Sequence, residues 1–176
     1  MNARSTFSTL SIAAIAATLA GCAGMSPGAG PTATAKLEAT RGNAATGTVT
    51  FSQQGDRVMV HARVEGLKPG QEHGFHVHEK GDCSSGDGMS TGGHFNPTGK
   101  PHGPQDADHH VGDLPALKAD ANGRADARFH VTGVTVGSGV TDIVGKGLIV
   151  HAMPDDYRTQ PTGNAGGRIA CGVITR

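Results

Sequence analysis

Residues 57–64 read Arg-Val-Met-Val-His-Ala-Arg-Val, and a small apolar side chain occupies every second position. Successive side chains of a β-strand point to opposite faces, so this stretch predicts a strand with one buried and one solvent-facing side. The alternation recurs in residues 35–40 and 125–131, and residues 146–153 and 168–175 are apolar and strand-like. The chain is therefore predicted to be built from short strands.

Turn-forming residues separate these segments, and no segment has the sustained apolar period of an amphipathic helix. Gly occurs with Pro, Asn or Asp at residues 54–56, 68–70 and 120–123, which is typical of tight turns. Short strands joined by turns favour an all-β fold, an antiparallel sandwich or barrel. Two irregular stretches, 79–116 and 152–167, are long enough to be functional loops.

The first residues have the pattern of a targeting signal rather than of a folded element. One basic residue, Arg4, precedes the apolar run 9–20, which is too short for a transmembrane helix and typical of a secretory signal. Leu19-Ala20-Gly21-Cys22 resembles a bacterial lipoprotein signal box, in which cleavage precedes a lipidated cysteine. An ordinary signal peptide with Cys22 incidental is the alternative. We predict a leader at 1–21, a flexible tether at 22–34 and one folded domain at 35–176.

The remaining cysteines, Cys83 and Cys171, form an isolated pair in a chain predicted to be exported. Outside the cytosol such a pair is most simply a disulfide. Two free thiols, or two thiolate metal ligands, are the alternatives, although no C-x-x-C motif supports a metal site of cysteines.

The charge balance excludes one large class of partners. The whole chain has a formal net charge of +0, and removal of the leader leaves it almost neutral. It has no basic stripe and few aromatic residues, which argues against a nucleic-acid partner.

Histidine is the residue type that points to chemistry. Seven of the ten histidines lie between His73 and His110. Within Gly74-Phe75-His76-Val77-His78, the two histidines next to Val77 would share one face of a strand and present two imidazoles to the same site. Imidazole is a ligand for zinc, copper, iron and nickel, and the supply of histidines here exceeds the needs of one site.

The histidines divide into two candidate ligand sets. His94, His102 and His110 follow one another at intervals of eight residues, and Asp113 comes shortly after. Three imidazoles and a carboxylate are typical of a closed tetrahedral zinc site. His76, His78 and His151 remain, and a set of nitrogen ligands with an open position suits a redox-active copper. A histidine-rich surface tract with loose metal affinity is the alternative for the loop histidines.

The motifs that contain these residues resemble one family. They are Gly74-Phe75-His76-Val77-His78-Glu79, Gly93-His94-Phe95-Asn96-Pro97, His110-Val111-Gly112-Asp113-Leu114, Val150-His151 and the segment 163–173, Gly-Asn-Ala-Gly-Gly-Arg-Ile-Ala-Cys-Gly-Val. In order and over essentially the whole folded part, they closely resemble the copper/zinc superoxide dismutases. The resemblance implies a Greek-key β-sandwich or barrel and the conversion of superoxide to oxygen and hydrogen peroxide by alternating copper reduction and oxidation.

The resemblance also implies a role for each residue, with one copper and one zinc per subunit. The implied copper ligands are His76, His78, His94 and His151. The implied zinc ligands are His94, which bridges the two metals and carries a proton, with His102, His110 and Asp113. Asp155 would link ligands of the two metals, Arg168 would lie beside the copper channel, and Cys83 and Cys171 would be the intrachain disulfide.

Two departures from the family pattern affect the zinc set. His109 precedes His110, so either could bind zinc, and we assign His110 because it adjoins Val-Gly-Asp. Pro101 precedes His102 and alters the local spacing. The lipoprotein box and the Cys83-Ser84-Ser85-Gly86 insertion resemble the bacterial exported branch, which implies a monomer or homodimer in the periplasm or cell envelope, anchored to the membrane through Cys22 and protecting the envelope from superoxide.

Two other functions compete with this interpretation. The first is an extracytoplasmic copper-buffering or copper-delivery protein, which would bind the metals without consuming superoxide. The second is a hydrolase, because Gly88-Met89-Ser90-Thr91-Gly92 satisfies G-x-S-x-G. That motif requires a following helix, and the glycines and the Asn-Pro sequence after it oppose one, so we treat the match as a coincidence.

Overall fold

The computed structural model describes Met1 and residues 30–176, and this part of the chain forms eight β-strands. They are β1 (Thr32–Ala39), β2 (Thr46–Gln54), β3 (Arg57–Glu65), β4 (Glu72–His78), β5 (Asp113–Lys118), β6 (Ala125–Thr132), β7 (Gly147–His151) and β8 (Arg168–Thr175). A 3₁₀ turn at Met89–Thr91 is the only helix among these described residues. No helix in this part of the chain is long and apolar enough to span a membrane.

The strands form one antiparallel sheet in the order β5-β4-β7-β8-β1-β2-β3-β6. The two end strands, β5 and β6, lie against each other, so the sheet curls into a nearly closed barrel. Pairing of β3 with β6 and of β4 with β7 is not sequential, which distinguishes a Greek-key arrangement from a simple up-and-down barrel. The predicted all-β antiparallel fold is confirmed.

The barrel interior is filled by the apolar phase of the alternating strands. In β3, Val58, Val60 and Ala62 are fully buried, whereas the side chains between them face outward. β4 and β7 differ, because all of β7 and every residue of β4 after Glu72 are buried. Their inner faces point into the barrel, and long loops cover their outer faces. The outer faces of these two strands therefore lie beneath the irregular stretches that the sequence marked as functional.

The bounds of three elements differ from the sequence prediction. β1 begins at Thr32, so residues 32–34 of the predicted tether belong to the barrel, where they pair with β2. β5 begins at Asp113 and shortens the first predicted loop, and β7 ends at His151. Residues 2–29, which contain the rest of the leader, Cys22 and the first part of the tether, lie outside the described residues.

Candidate metal centre

Strands and loops supply the candidate ligands in different ways. His76 and His78 lie on the outer face of β4, since Phe75 and Val77 belong to the barrel core. His151, the last residue of β7, lies beside them because β7 pairs with β4. The loop between β4 and β5 folds back over this surface, and His94 forms an isolated bridge with His78. The structure thus brings together residues that are up to 75 positions apart.

Four histidines form the first group, and all four are buried. Ring nitrogens of these residues lie within 4.8 Å of one another; the members are His76, His78, His94 and His151. Within residues 30–176, one nitrogen on each ring has no hydrogen-bonding partner, namely Nδ1 of His76 and Nε2 of the other three. Buried polar atoms are normally paired. Four unpaired imidazole nitrogens that converge on one point therefore form a donor set that suits copper.

Hydrogen bonds on the opposite side of each ring fix its orientation. His78 Nδ1 lies 2.9 Å from the carbonyl oxygen of Gly92 and His151 Nδ1 lies 3.2 Å from that of Gly166. A carbonyl can only accept, so Nδ1 of these rings carries the proton and Nε2 presents its lone pair to the group. Such support for ring orientation is usual behind metal-binding histidines.

Asp113 is the centre of a second group that shares His94 with the first. Its Oδ1 lies 2.8 Å from His94 Nδ1 and 3.4 Å from His110 Nδ1, and its Oδ2 lies 3.0 Å from His102 Nδ1. The Nδ1 atoms of His94 and His110 are 3.3 Å apart. Three imidazole nitrogens thus surround one carboxylate, which is the donor set of a tetrahedral zinc site.

His76 also comes close to this second group. One set of potential ligand atoms that lie within 4.8 Å of one another combines Asp113 with His76, His94 and His102. The ring centroids of His76 and His94 are only 4.0 Å apart. His76 Nε2 is nevertheless occupied by Asp155, whose Oδ2 lies 2.7 Å away. His110 Nδ1 contacts Asp113 directly, so His110 remains our candidate for the fourth ligand.

His94 joins the two groups through the two nitrogens of one ring. Its Nδ1 faces Asp113 at 2.8 Å, whereas its Nε2 is one of the unpaired atoms of the first group. A single imidazole can therefore contact a metal on each side. His109, the neighbour of His110, points elsewhere, with Nδ1 donating to the carbonyl of Ala107 at 2.8 Å.

Asp155 connects the two groups through contacts with one histidine of each. Besides its contact with His76, its Oδ1 lies 3.7 Å from His102 Nε2, and its side chain is 1% exposed. Gly163 and Gly74 leave room for it: a Cβ at Gly163 would lie 2.6 Å from Asp155 Oδ1, and a Cβ at Gly74 would lie 3.3 Å from the same atom. The sequence assigned Asp155 this position only through the family resemblance.

Burial controls the protonation of the site. Burial lowers the pKa of His78 to about 2 and of His151 to about 3, and it holds the pKa of His76 well below the ordinary value. Burial alone would raise the pKa of Asp113, but hydrogen bonds from the surrounding histidines hold it well below its usual range. Burial raises the pKa of Asp155 to about 6, against the attraction of nearby histidines. His76, His78 and His151 thus present neutral imidazoles whose free nitrogen carries no proton to displace.

Arg168 lies at the edge of the first group and is half-buried. Its Nη1 donates to the carbonyl of Gly88 at 2.7 Å and to Thr91 Oγ1 at 2.9 Å, and its Nη2 donates to the carbonyl of Gly92 at 2.7 Å. Burial lowers its pKa, but a guanidinium remains charged at neutral pH. The predicted disulfide is present between Cys83 and Cys171, and it ties the segment that holds Arg168 to β8.

One buried histidine that supports the site, His73, was not predicted from the sequence. His73 Nδ1 lies 2.7 Å from the carbonyl oxygen of His151, and the residue is 1% exposed. The register of β4 shifts between His73 and Phe75, so simple alternation did not predict where this ring points. The available signal was a histidine directly before the Gly74-Phe75-His76 motif. The ring supports the end of β7, where His151 is presented.

Ser90, the central residue of the G-x-S-x-G match, has no hydrolase environment. Its Oγ donates to the carbonyl of Asp82 at 2.6 Å and lies 3.1 Å from Ser85 Oγ. In the described part of the chain no histidine hydrogen-bonds to it. A nucleophilic serine requires such a base, so the hydrolase alternative has no support.

Comparison with known proteins gives one family. Residues 45–174 match the family described as copper/zinc superoxide dismutase (SODC). "Superoxide dismutase [Cu-Zn] 2" of Brassica juncea is 47% identical over 137 residues, which are 73% of this chain and 88% of the relative. "Extracellular superoxide dismutase [Cu-Zn]" of Drosophila melanogaster is 45% identical over 137 residues, which are 73% of this chain and 74% of the relative.

Solved structures agree with this result. The clock protein EA4 superposes with a TM-score of 0.75 at 41% identity, covering 82% of this chain and 93% of its own. A SOD-like protein from Bacillus subtilis superposes with a TM-score of 0.72 at 35% identity, covering 80% of this chain and 96% of its own.

Proposed function

This chain belongs to the copper/zinc superoxide dismutase family, and from that premise we propose that the two histidine groups together catalyse the conversion of superoxide to oxygen and hydrogen peroxide. Two superoxide ions and two protons give one molecule of each product. The proposal rests on the convergence, within residues 30–176, of four buried imidazole nitrogens that lack hydrogen-bonding partners, beside a second donor group that shares His94.

The residues fit the two metals of the family. Copper would be held by His76 Nδ1 and by Nε2 of His78, His94 and His151. Zinc would be held by Asp113 and by Nδ1 of His94, His102 and His110. The chemistry supplied by the bound metals is one-electron transfer at copper, from one superoxide to the next, with zinc redox-inert and structural. Asp155 supports both sets, because it contacts His76 and His102.

Arg168 would attract and orient the substrate. The chain is neutral as a whole, so a small anion must be drawn by a local charge. The guanidinium of Arg168 is held by three acceptors from one loop segment, and a charge held this firmly has a defined position. Its other N–H groups can face an approaching anion, since a guanidinium carries five donors.

His94 would deliver a proton. Its Nδ1 faces Asp113 and would be held beside it on zinc, so the ring would keep its orientation whatever happens at the other nitrogen. Nε2 can then hold a proton at a fixed point within the first group and give it to the product. The buried surroundings limit the access of water, so protons would be supplied through this one atom.

We place the protein outside the cytoplasm, in the periplasm or cell envelope of a bacterium, where it would protect the envelope from superoxide. The leader at 1–21 and the lipoprotein box that ends at Cys22 support export and lipid anchoring. The Cys83–Cys171 disulfide is typical of an oxidising compartment, and one relative is described as extracellular. Residues 35–176 would be the catalytic domain, joined to the anchor by the tether at 22–34.

Anchoring can be tested separately from catalysis. When the whole sequence is expressed, we expect the processed chain in the membrane fraction of the producing bacterium, with a mass increase on the peptide that begins at Cys22. Cys22→Ser should abolish the modification and leave dismutase activity per molecule unchanged. An unmodified wild-type Cys22 would contradict anchoring and leave the catalytic proposal standing.

The decisive test of catalysis measures metals and superoxide consumption together. We expect about one copper and one zinc per chain, loss of activity on removal of copper by a chelator, and recovery on its return. Zinc alone, with no activity after copper loading, would overturn the proposal. Full loading with both metals but no consumption of superoxide would indicate a copper-buffering protein instead.

A further inference from the structure

Gln160 makes a two-sided contact with the backbone of His102, although 58 positions separate them. Its side-chain Oε1 accepts from the backbone N–H of His102 at 2.8 Å, and its Nε2 donates to the carbonyl of the same residue at 2.8 Å. One amide group therefore satisfies both backbone groups of one residue. This contact is not needed to explain the donor sets described above.

Among the described residues, the backbone of His102 has no hydrogen-bonding partner other than Gln160. Its residue is 2% exposed but lies outside the strands, and Pro101 and Pro104 flank it closely. Within residues 30–176, neither its N–H nor its carbonyl takes part in a backbone–backbone hydrogen bond. Buried backbone groups require partners. By contrast, His76, His78 and His151 lie in strands whose ladders hold them.

The same loop also contacts the ring of His102. The ring of Tyr157 stacks on it with centroids 6.0 Å apart and an angle of 12° between the planes. Gly163 approaches its edge so closely that a Cβ would lie 2.3 Å from His102 Nε2. Residues 155–163 thus hold His102 by its backbone, ring face and ring edge.

Hydrogen bonds within the loop hold Gln160 in place. Asp156 Oδ1 accepts from the backbone N–H groups of Arg158 and Thr159 at 2.9 and 2.8 Å. The backbone N–H of Gly163 donates to the carbonyl of Thr159 at 2.8 Å. Gln160 is exposed, but these hydrogen bonds fix the turn that contains it. Its side chain is therefore held facing the backbone of His102.

We propose that Gln160 is a positioning residue of the zinc site: its amide holds the backbone of His102 so that Nδ1 of that ring faces Asp113 before zinc binds. This inference rests on the proposed function, which assigns His102 to zinc. A preformed site retains its metal longer than one in which a ligand must first be ordered. Gln160 would therefore control zinc retention and leave the copper histidines unaffected.

The test compares Gln160→Ala with Gln53→Ala in the full chain. Gln53 is a matched control, because its amide also bonds backbone groups on the other side of the barrel. It accepts from the N–H of Val136 at 3.0 Å and donates to the carbonyls of Gly55 at 2.9 Å and Arg57 at 3.3 Å. Zinc-loaded proteins are mixed with excess 4-(2-pyridylazo)resorcinol, and the rate of zinc release is followed by absorbance. We expect release from Gln160→Ala to be about tenfold faster than from wild type, as for other groups that support metal ligands.

Two further measurements separate positioning from general stability. The melting temperatures of the metal-free Gln160→Ala and Gln53→Ala proteins should fall by similar amounts, and the copper(II) electron paramagnetic resonance spectrum should match that of wild type. Gln160→Glu keeps an acceptor for the N–H but replaces the donor to the carbonyl by a repulsive oxygen, and its release rate should lie between those of wild type and Gln160→Ala.

Several outcomes would overturn the inference. They are an unchanged release rate in Gln160→Ala, an equal acceleration in Gln53→Ala, and a metal-free melting temperature of Gln160→Ala far below that of the control. Zinc retention by the wild-type protein distinguishes failure of this inference from failure of the proposed function. A wild-type protein that never retains zinc would refute the zinc assignment itself, and the role of Gln160 with it.

Discussion

Arg168 and His78 donate to the same acceptor, the carbonyl oxygen of Gly92. Arg168 Nη2 lies 2.7 Å from this oxygen and His78 Nδ1 lies 2.9 Å from it. The oxygen thereby fixes the position of the candidate steering charge relative to the candidate copper ligands. Two hydrogen bonds to one carbonyl transmit any displacement of the Gly92 segment to both groups.

Replacing Arg168 by Ala should lower kcat/KM for superoxide by about tenfold or more, because the local attraction for the anion is lost. Both metals should remain bound, since Gly92 keeps its hydrogen bond to His78. The check is pulse radiolysis or stopped flow over a range of ionic strength, in which the variant should show a weaker salt dependence than wild type. Arg128→Ala, which removes an exposed charge from β6, is the control. Kinetics of Arg168→Ala equal to wild type at low ionic strength would contradict a steering role.

Asp155→Asn should weaken zinc binding by about tenfold to a hundredfold, because the carboxylate no longer supports His76 and His102. Zinc content after dialysis against a graded series of chelator concentrations measures the effect. Asp120→Asn is the matched control, since that carboxylate accepts from the backbone N–H groups of Asn122 and Arg124 in the turn between β5 and β6. Equal zinc retention by the two variants would show that Asp155 is not required.

Gly163→Ala should disrupt the site for a steric reason. Its φ is +64°, and the added Cβ would lie 2.3 Å from His102 Nε2. Gly55 has the same φ of +64°, but a Cβ there would meet nothing within 4 Å. Gly55→Ala should therefore incur only the backbone cost of about 1–2 kcal/mol. Urea unfolding with and without zinc separates the two, and we expect zinc to stabilise Gly55→Ala normally and Gly163→Ala weakly.

Removing the disulfide by Cys83→Ala together with Cys171→Ala should lower the stability by up to about 4–5 kcal/mol, as estimated for a closed loop of this length. The bond joins residues 88 positions apart and restrains the segment that holds Arg168, so kcat/KM should also fall. Thermal unfolding and superoxide kinetics measure the two effects. A reducing agent should change the wild type in the same direction and leave the double variant unaffected.

The metal-free protein should lose stability as the pH falls below about 6.5, the ordinary histidine pKa. The pKa values of His78 and His151 are depressed to about 2 and about 3, so between these values and 6.5 the unfolded chain binds protons that the folded chain does not. Each such histidine lowers the stability by up to about 1.4 kcal/mol per pH unit in that window.

Asp155 acts in the opposite direction over a narrower range. Its pKa is raised from 3.8 to about 6, so the folded chain binds the extra proton and its contribution is lost as the pH rises through that interval. As the pH falls, the stability lost through His78 and His151 exceeds the stability gained through Asp155. Urea unfolding of the metal-free protein at pH 7.5, 6.5, 5.5 and 4.5 measures the balance, and a stability that stays flat down to pH 4.5 would contradict it.

The alternation of apolar and polar residues predicted the strands that have one buried and one solvent-facing side. β3 and β6 occur at Arg57–Glu65 and Ala125–Thr132, close to the expected bounds, because burial on one face imposes a period of two on the sequence. β4 is buried on both faces after Glu72, so its apolar pattern is not a simple alternation, and its strand character was indicated only by the spacing of His76 and His78.

The residues of the candidate site were harder to predict from sequence patterns. His94, His102 and His110 come from a loop with no strand or helix period. Their eight-residue spacing and Asp113 suggested a zinc site, but the bridging role of His94 depended on the family resemblance. The contacts of Gln160 and Tyr157 with His102 have no local sequence signal, since they form when two long loops pack on each other. His73 was missed for a related reason, because the register shift beside Phe75 redirects its ring.

Because Tyr157 stacks on His102, the fluorescence of this tyrosine can report on the nearby candidate metal site. Tyr157 is the only tyrosine and the chain has no tryptophan, so nearly all ultraviolet emission of the unlabelled molecule arises from one ring, 6.0 Å from a candidate ligand. Copper(II) quenches nearby emitters strongly, whereas zinc does not. The brightness of a single side chain can therefore report which metal has entered, in real time and without a dye.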